Sequence, residues 1–316
     1  MNCIRPLIAT YDSKGNVTFD RNTPSSPGLI GFQVDCHKCI PCRLKTAREK
    51  AIRALHEADQ HNGNNIFLTL TYAPEKLTSD KLQYRDFQLF MKSLRELRTR
   101  NVENPKENKI KFMVTGEYGD KTKRPHWHTI LFNYWPHDAL LHRENELGHK
   151  IYTSKEIETI WDHGFSEFGG VTMESAGYVA RYAAKKLIHG KDQDHDYHPK
   201  HQPSQGIGKQ WIEKYWKQTF TNGYVVLPNG EKCSIPRYYQ EWLKKHQPDA
   251  HHKYLSTKKL EIIEQMEQKT RREEIEYLNT LYNGTHDYRN APLTKATIKH
   301  QVLTRKFNRL QKELKI

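Results

Sequence analysis

"KIKFMVTGEYGDKTKRPHWHTILFNY", residues 109–134, decides how the rest of the chain is read. Its two ends alternate apolar and polar residues and are rich in β-formers. They predict one strand over 109–119 and another over 126–134, and the short polar turn between them makes the pair antiparallel. Successive strand side chains point to opposite faces, so His126 and His128 share one face and Trp127 takes the other. Two imidazoles about 7 Å apart along a strand converge on one cation when a third ligand stands near. The pair alone decides little, because a chain with 18 histidines in 316 residues holds about one H-x-H by chance. Glu117 changes the balance. It sits in the preceding strand, across the short turn, where it can lie beside the histidines. A carboxylate with two imidazoles suits Mg²⁺ or Mn²⁺ with positions open to substrate oxygens; the bland alternative is a polar face on a wet sheet.

Outward from this pair, "NIFLTLTYA" (65–73) and "FSEFGGVTME" (165–174) read as further strands. Helical spacing of apolar residues predicts helices over 43–61, 79–100 with Ser79 as cap, and 152–164. A fourth helix is predicted over 175–190, capped by Ser175 and ended by Gly190. Residues 191–208 read as a polar loop, and 224–239 as a hairpin around Asn229-Gly230. Strands and helices mixed in this way give an α+β fold.

The helix over 175–190 carries "YVARYAAKK" (178–186). Tyr178 and Tyr182 are four residues apart, so both hydroxyls leave one face about one turn apart. Lys185 and Lys186 follow. A phenol with an ordinary pKa near 10 is a poor nucleophile unless a cation polarises its target or an ammonium steadies the phenolate. A core tyrosine pair with solvated lysines is the competing reading of a lone Y-x₃-Y.

Three of the five cysteines, Cys36, Cys39 and Cys42, fall within seven residues in "CHKCIPC". With no secretory signal at the start of the chain, the expected compartment is a reducing cytoplasm. C-x₂-C-x₂-C there implies a thiolate metal site, read as structural Zn²⁺, with an iron–sulfur cluster as the alternative metal. Cys3 is the expected fourth ligand, and His37 and Cys233 are its rivals.

The formal charge of +14 and pI near 9.4 favour a polyanionic partner, most simply nucleic acid. Lys121, Lys123, Arg124 and Arg181 are the DNA-contact candidates, from their charge and proximity to the histidines and tyrosines. No apolar run is long enough to span a membrane, which excludes integral membrane functions for a helical reading.

"FLTLTY" (67–72), "GEYGDKTKRPHWH" (116–128) and "YVARYAAKK" (178–186) resemble, in order, the three motifs of HUH endonucleases, the initiators of rolling-circle replication. The paired tyrosines are similar to those of microvirus initiators. "CHKCIPCRL", the "GIG" before Trp211 and "IPRYY" (235–239) resemble the gokushovirus branch. Arg181 departs from the pattern, standing where a lysine is common.

The resemblance implies an RRM-like α+β core, a central antiparallel sheet flanked by helices. It also implies Mg²⁺ or Mn²⁺ on His126, His128 and Glu117, and attack by Tyr178 or Tyr182 on single-stranded or extruded origin DNA. The product would be a 5′-phosphotyrosine and a priming 3′-OH, with Lys185 as the motif lysine and Lys186 its rival. A host helicase and polymerase would take over in the bacterial cytoplasm. The expected organisation is a Cys-bearing segment with a basic helix (1–60), the nuclease core (61–190), a loop and hairpin completing it (191–250) and a basic helical extension (251–316). The competing function is a non-catalytic zinc-containing nucleic-acid binder; a metal-dependent hydrolase using water is a third.

Overall fold

The computed structural model describes residues 3, 6–11, 17–19, 32–100, 109–119, 122–146, 148–185, 200–227, 229–281 and 294–313; for residues 181–185 it describes the helix backbone and not the side chains. The chain divides into two compact units, residues 1–46 with 261–316, and residues 47–260.

In the first unit, β1 (Leu7–Tyr11) pairs antiparallel with β2 (Val17–Thr18) and with β3 (Phe32–Val34). Helix α1 (Ile40–Ala58) begins here and continues into the second unit.

The second unit is built on a sheet that includes the two strands of residues 109–134. Its members are β4 (Asn65–Thr71), β5 (Lys111–Tyr118), β6 (Pro125–Phe132), β7 (Leu140–Glu144), β8 (Lys150–Thr153), β9 (Ser166–Gly170) and β10 (Lys200–Pro203). The order is β10-β5-β6-β4-β9-β8-β7, and every pairing is antiparallel. Helices α2 (Tyr84–Thr99) and α3 (Lys155–Ile160) cover one face, where Phe87, Phe90, Met91, Leu94 and Ile157 bury Leu68, Leu70, Val114 and Trp127. The other face carries Phe67, Met113, Ile130 and Phe132, packed with α1 and α4 (Met173–Lys185). Helices α5 (Lys209–Asn222), α6 (Arg237–His246) and α7 (Pro248–Tyr254) and the short hairpin of β11 (Val225–Val226) and β12 (Lys232–Cys233) add to that second core. This is the expected α+β architecture, an antiparallel sheet flanked by helices. No helix among the described residues is long and apolar enough to cross a membrane.

Three local differences from the expected elements have physical causes. Thr172, not Ser175, caps α4: Ser175 N–H donates to Thr172 Oγ1 (3.2 Å) and Thr172 N–H to Ser175 Oγ (2.8 Å), a reciprocal box. Ser79 lies before α2, which starts at Tyr84 behind Gln83 and has no side-chain cap. The stretch expected as a loop supplies β10, and the expected hairpin of 224–239 is short, because after Pro236 the chain turns into α6 and buries Tyr239 and Trp242.

Gly116 is required by packing. It lies opposite Trp127 in the β5–β6 ladder, and a Cβ there would meet the Trp127 ring at 2.5 Å. Trp127 is fully buried and donates from Nε1 to Tyr72 Oη (3.1 Å). The side chain between the two histidines thus anchors their strand to the opposite core, which orients both imidazoles toward the face that α4 covers.

After α7 a π-helical turn (Leu255–Lys259) leads into α8 (Leu260–Leu281). In the first unit α8 is joined to α9 (Lys295–Glu313) through Lys295, which donates from Nζ to the Glu273 carbonyl (2.9 Å), and through the Lys299–Glu273 ion pair.

Candidate metal centre and tyrosine site

The β5–β6 register places Glu117 directly opposite His126, and Thr115 opposite His128. Directly opposed residues share a face, so the carboxylate and both imidazoles stand together. One oxygen, Glu117 Oε1, lies 2.7 Å from His128 Nε2 and 3.1 Å from His126 Nε2. The two rings are perpendicular, with centroids 4.9 Å apart. Each has its other nitrogen engaged, His128 Nδ1 with Thr69 Oγ1 (3.1 Å) and His126 Nδ1 with the Arg124 carbonyl (3.3 Å). Such outer contacts fix ring orientation and leave Nε2 facing inward.

Helix α4 brings Tyr178 onto this group. Its hydroxyl donates to Glu117 Oε1 (2.7 Å) and lies 3.3 Å from His128 Nε2. Phe67 braces the arrangement, its ring parallel to His128 at 5.8 Å and edge-on to Tyr178 at 5.9 Å. Burial acts to raise the Glu117 carboxyl, but hydrogen bonds and charge from His126 and His128 outweigh it and hold the carboxyl well below the usual carboxylate range. Burial also makes His128 harder to protonate than a free imidazole, against the pull of Glu117. An ionised carboxylate facing inward-directed imidazole nitrogens needs a positive charge between them. One ligand atom from each of the three residues lies within 4.8 Å of the others, a donor set that fits a divalent cation.

The other sequence candidates fall as follows. Tyr182 and Lys185 lie on α4, Tyr182 one turn after Tyr178, but their side chains and that of Arg181 are outside the described residues, as are Lys121 and Lys186 altogether. Lys123 is exposed in the β5–β6 turn with φ 52°, and Arg124 follows it at the foot of β6. Thr69, Thr71 and Phe67 were not singled out from the sequence. Strand alternation in "FLTLTY" puts the three on one face, but which strand they border follows only from the β4–β6 pairing.

A second constellation lies in the first unit. One Sγ each from Cys3, Cys36, Cys39 and Cys42 comes within 4.8 Å of the others. Cys3 Sγ is 3.8 Å from Cys39 Sγ and accepts the Cys36 amide (3.3 Å). Against burial, the amides of Cys39 and Lys38 draw the Cys36 thiol down to about 7, while burial pushes Cys42 up. His37 takes a left-handed backbone (φ 54°) and is exposed, and Cys233 is buried in the β12 strand with its sulfur accepting from Arg48 (3.3 Å). Neither belongs to the four-thiol group.

The profile of the replication-associated protein ORF2 family matches residues 65–187, the span of β4 through α4. The chain is 50% identical to replication-associated protein VP4 of Bdellovibrio phage phiMH2K, over all of both proteins. It is 33% identical to replication-associated protein ORF4 of Chlamydia phage 1, over 72% of this chain and 58% of that protein. It is 29% identical to replication-associated protein ORF2 of Spiroplasma virus 4, over 79% and 82% respectively. No solved structure matches.

Proposed function

The chain belongs to the family of replication-associated proteins of microviruses, and on that premise we propose that it initiates rolling-circle replication as a metal-dependent HUH endonuclease and strand-joining enzyme. Its substrate is single-stranded or extruded origin DNA in the cytoplasm of the bacterial host, where a host helicase and polymerase extend the product. The observation that carries the reading is the Tyr178 hydroxyl, 2.7 Å from the carboxylate that also binds both histidines.

His126, His128 and Glu117 would hold Mg²⁺ or Mn²⁺, which when bound polarises a phosphate oxygen and makes the phosphorus more electrophilic. Tyr178 Oη is the attacking atom. Glu117 and Phe67 orient it, and Trp127 and Gly116 keep its strand partners in place. As the Oη–P bond forms, the bond from phosphorus to the 3′ oxygen breaks. The tyrosine keeps the 5′ phosphate, and the 3′ oxygen takes up a proton and leaves as the hydroxyl that primes synthesis. A phosphodiester to tyrosine conserves the bond, so a later 3′-OH reverses the step and reseals the strand. Tyr182, one turn along α4, serves the second transfer, and Lys185, with Lys186 as alternative, steadies the phenolate. Lys121, Lys123, Arg124 and Arg181 neutralise flanking phosphates. The four thiolates of Cys3, Cys36, Cys39 and Cys42 hold a structural Zn²⁺.

A denaturing gel of protein mixed with single-stranded origin oligonucleotide and Mn²⁺ tests the proposal. A covalent protein–DNA band is expected, and it disappears in the Tyr178→Phe/Tyr182→Phe double variant and in His128→Ala. Salt-sensitive binding with no such band would mean a non-catalytic binder, and cut DNA with nothing attached would mean a hydrolase using water.

A further inference from the structure

Phe165 is the most exposed large apolar side chain among the described residues, at 73% of its surface, yet its backbone is firmly fixed. Its carbonyl accepts from the Thr71 amide (2.9 Å) and from Thr71 Oγ1 (3.2 Å). The carbonyl of His163, two residues back, accepts from the Ala73 amide (2.9 Å), and Trp161 donates from Nε1 to the Thr71 carbonyl (2.9 Å). Between them Gly164 lies so close to β4 that a Cβ would meet the Thr71 carbonyl and the Ala73 amide nitrogen at 2.4 Å. The turn before β9 is therefore clamped to the end of β4.

The register says where that clamp presents the ring. Leu70 pairs with Ser166, so Phe165 continues the ladder opposite Thr71; Thr71 pairs with His126, and His126 with Glu117. Glu117, His126, Thr71 and Phe165 form one row across four adjacent strands or strand ends, on one face. Ser166, the next residue, is buried on the opposite side. Two strand spacings, about 10 Å, separate Phe165 from His126. Cations stand at both ends of the row: Arg124, whose carbonyl holds His126, and Lys76, whose ammonium bonds the Asp162 carbonyl in the Phe165 turn.

A single exposed apolar residue is ordinary on a protein surface. An exposed aromatic on a pinned backbone, in line with a phosphate-activating site and flanked by cations, matches what a single strand needs, which is a flat platform for a base beside charges for its phosphates. We propose that Phe165 is a base-stacking platform for single-stranded DNA, holding a nucleotide next to the scissile phosphate. The assignment rests on the endonuclease reading for its substrate, and it adds the residue that sets the strand's position along the row.

Equilibrium binding in EDTA, followed by fluorescence anisotropy, tests it without needing cleavage. The probes are a fluorescein-labelled mixed-sequence single-stranded oligonucleotide and an abasic strand of equal length. Phe165→Ala is expected to weaken binding to the oligonucleotide about 10-fold, within the range one stacked base contributes. It should leave binding to the abasic strand unchanged. Phe165→Trp should retain affinity, and Phe165→Leu should behave as the alanine variant. Identical isotherms for wild type and Phe165→Ala, or an equal loss on both strands, would overturn the assignment. The Mn²⁺ gel run in parallel separates the two readings. A wild-type covalent band with identical isotherms removes the stacking role alone. Base-dependent loss without any covalent band removes the nicking reading and leaves Phe165 as a DNA contact.

Discussion

Tyr178 and Glu117, 61 residues apart in sequence, share a 2.7 Å hydrogen bond in which the phenol donates to the carboxylate. The bond ties helix α4 to strand β5 and places a nucleophile at a cation site. Tyr178→Phe keeps the ring contacts with Phe67 and His128 and removes only the oxygen. We expect it to fold as the wild type does and to lose the first covalent adduct with origin DNA. Tyr182→Phe should still form that adduct and fail to rejoin ends. Adduct formation through Tyr182 alone, at the wild-type rate, would reverse the order assigned to the two tyrosines.

Thr69 supports His128 from the neighbouring strand, with Oγ1 3.1 Å from Nδ1. Thr69→Val preserves the shape and removes the hydrogen bond. Loss of such an outer contact weakens metal binding by about 10- to 100-fold, so Mn²⁺ titration by calorimetry or electron paramagnetic resonance should show that drop. The same variant should regain adduct formation at high Mn²⁺, whereas Glu117→Ala should not. Unchanged Mn²⁺ affinity in Thr69→Val would mean that Thr69 does not orient His128.

These two tests also mark what the sequence revealed. Glu117, His126 and His128 were legible because the strand period is two and a short turn fixes the register of adjacent strands; both rules act locally. Thr69 was not, because the β4–β6 pairing joins residues 59 apart and no local pattern specifies which strand "FLTLTY" borders. Phe165 depends on two non-local registers in succession. Helix α5 was missed for another reason. Its aromatic residues, Trp211, Tyr215, Trp216 and Phe220, include partly buried ones that blur the apolar stripe, and only packing against α1 and α6 separates its faces.

The four thiols of the first unit support a separate prediction. Tetrathiolate Zn²⁺ contributes directly to folding, so the purified protein should contain one zinc by plasma emission spectroscopy. Cys39→Ser should lose it and melt at lower temperature, with the Mn²⁺ affinity of the second unit's site retained. Cys233→Ser should keep the zinc. Iron with acid-labile sulfide in place of zinc would assign a cluster to the same four residues.

His56 makes the stability of the second unit depend on pH. Its ring stacks on Trp211 at 3.6 Å, and Nδ1 lies 2.9 Å from Tyr239 Oη. Burial lowers its pKa from 6.5 to about 4, against a weaker upward pull from the Val226 carbonyl. The unfolded chain therefore takes up this proton near the ordinary imidazole value, while the folded chain resists it until near pH 4. Between those values the unfolded state binds more protons. The contribution is complete above the unfolded pKa and is lost as pH falls toward the folded one. From pH 7 to about pH 4.5 the loss should reach about 2 kcal/mol. His56→Phe retains the stack on Trp211 and gives up the hydrogen bond to Tyr239, costing about 1 kcal/mol at neutral pH. Urea unfolding followed by tryptophan fluorescence should show the variant less stable at pH 7 but losing less than the wild type on acidification. Parallel pH dependences in the two proteins would mean that other groups, and not the imidazole against Trp211, govern the acid response.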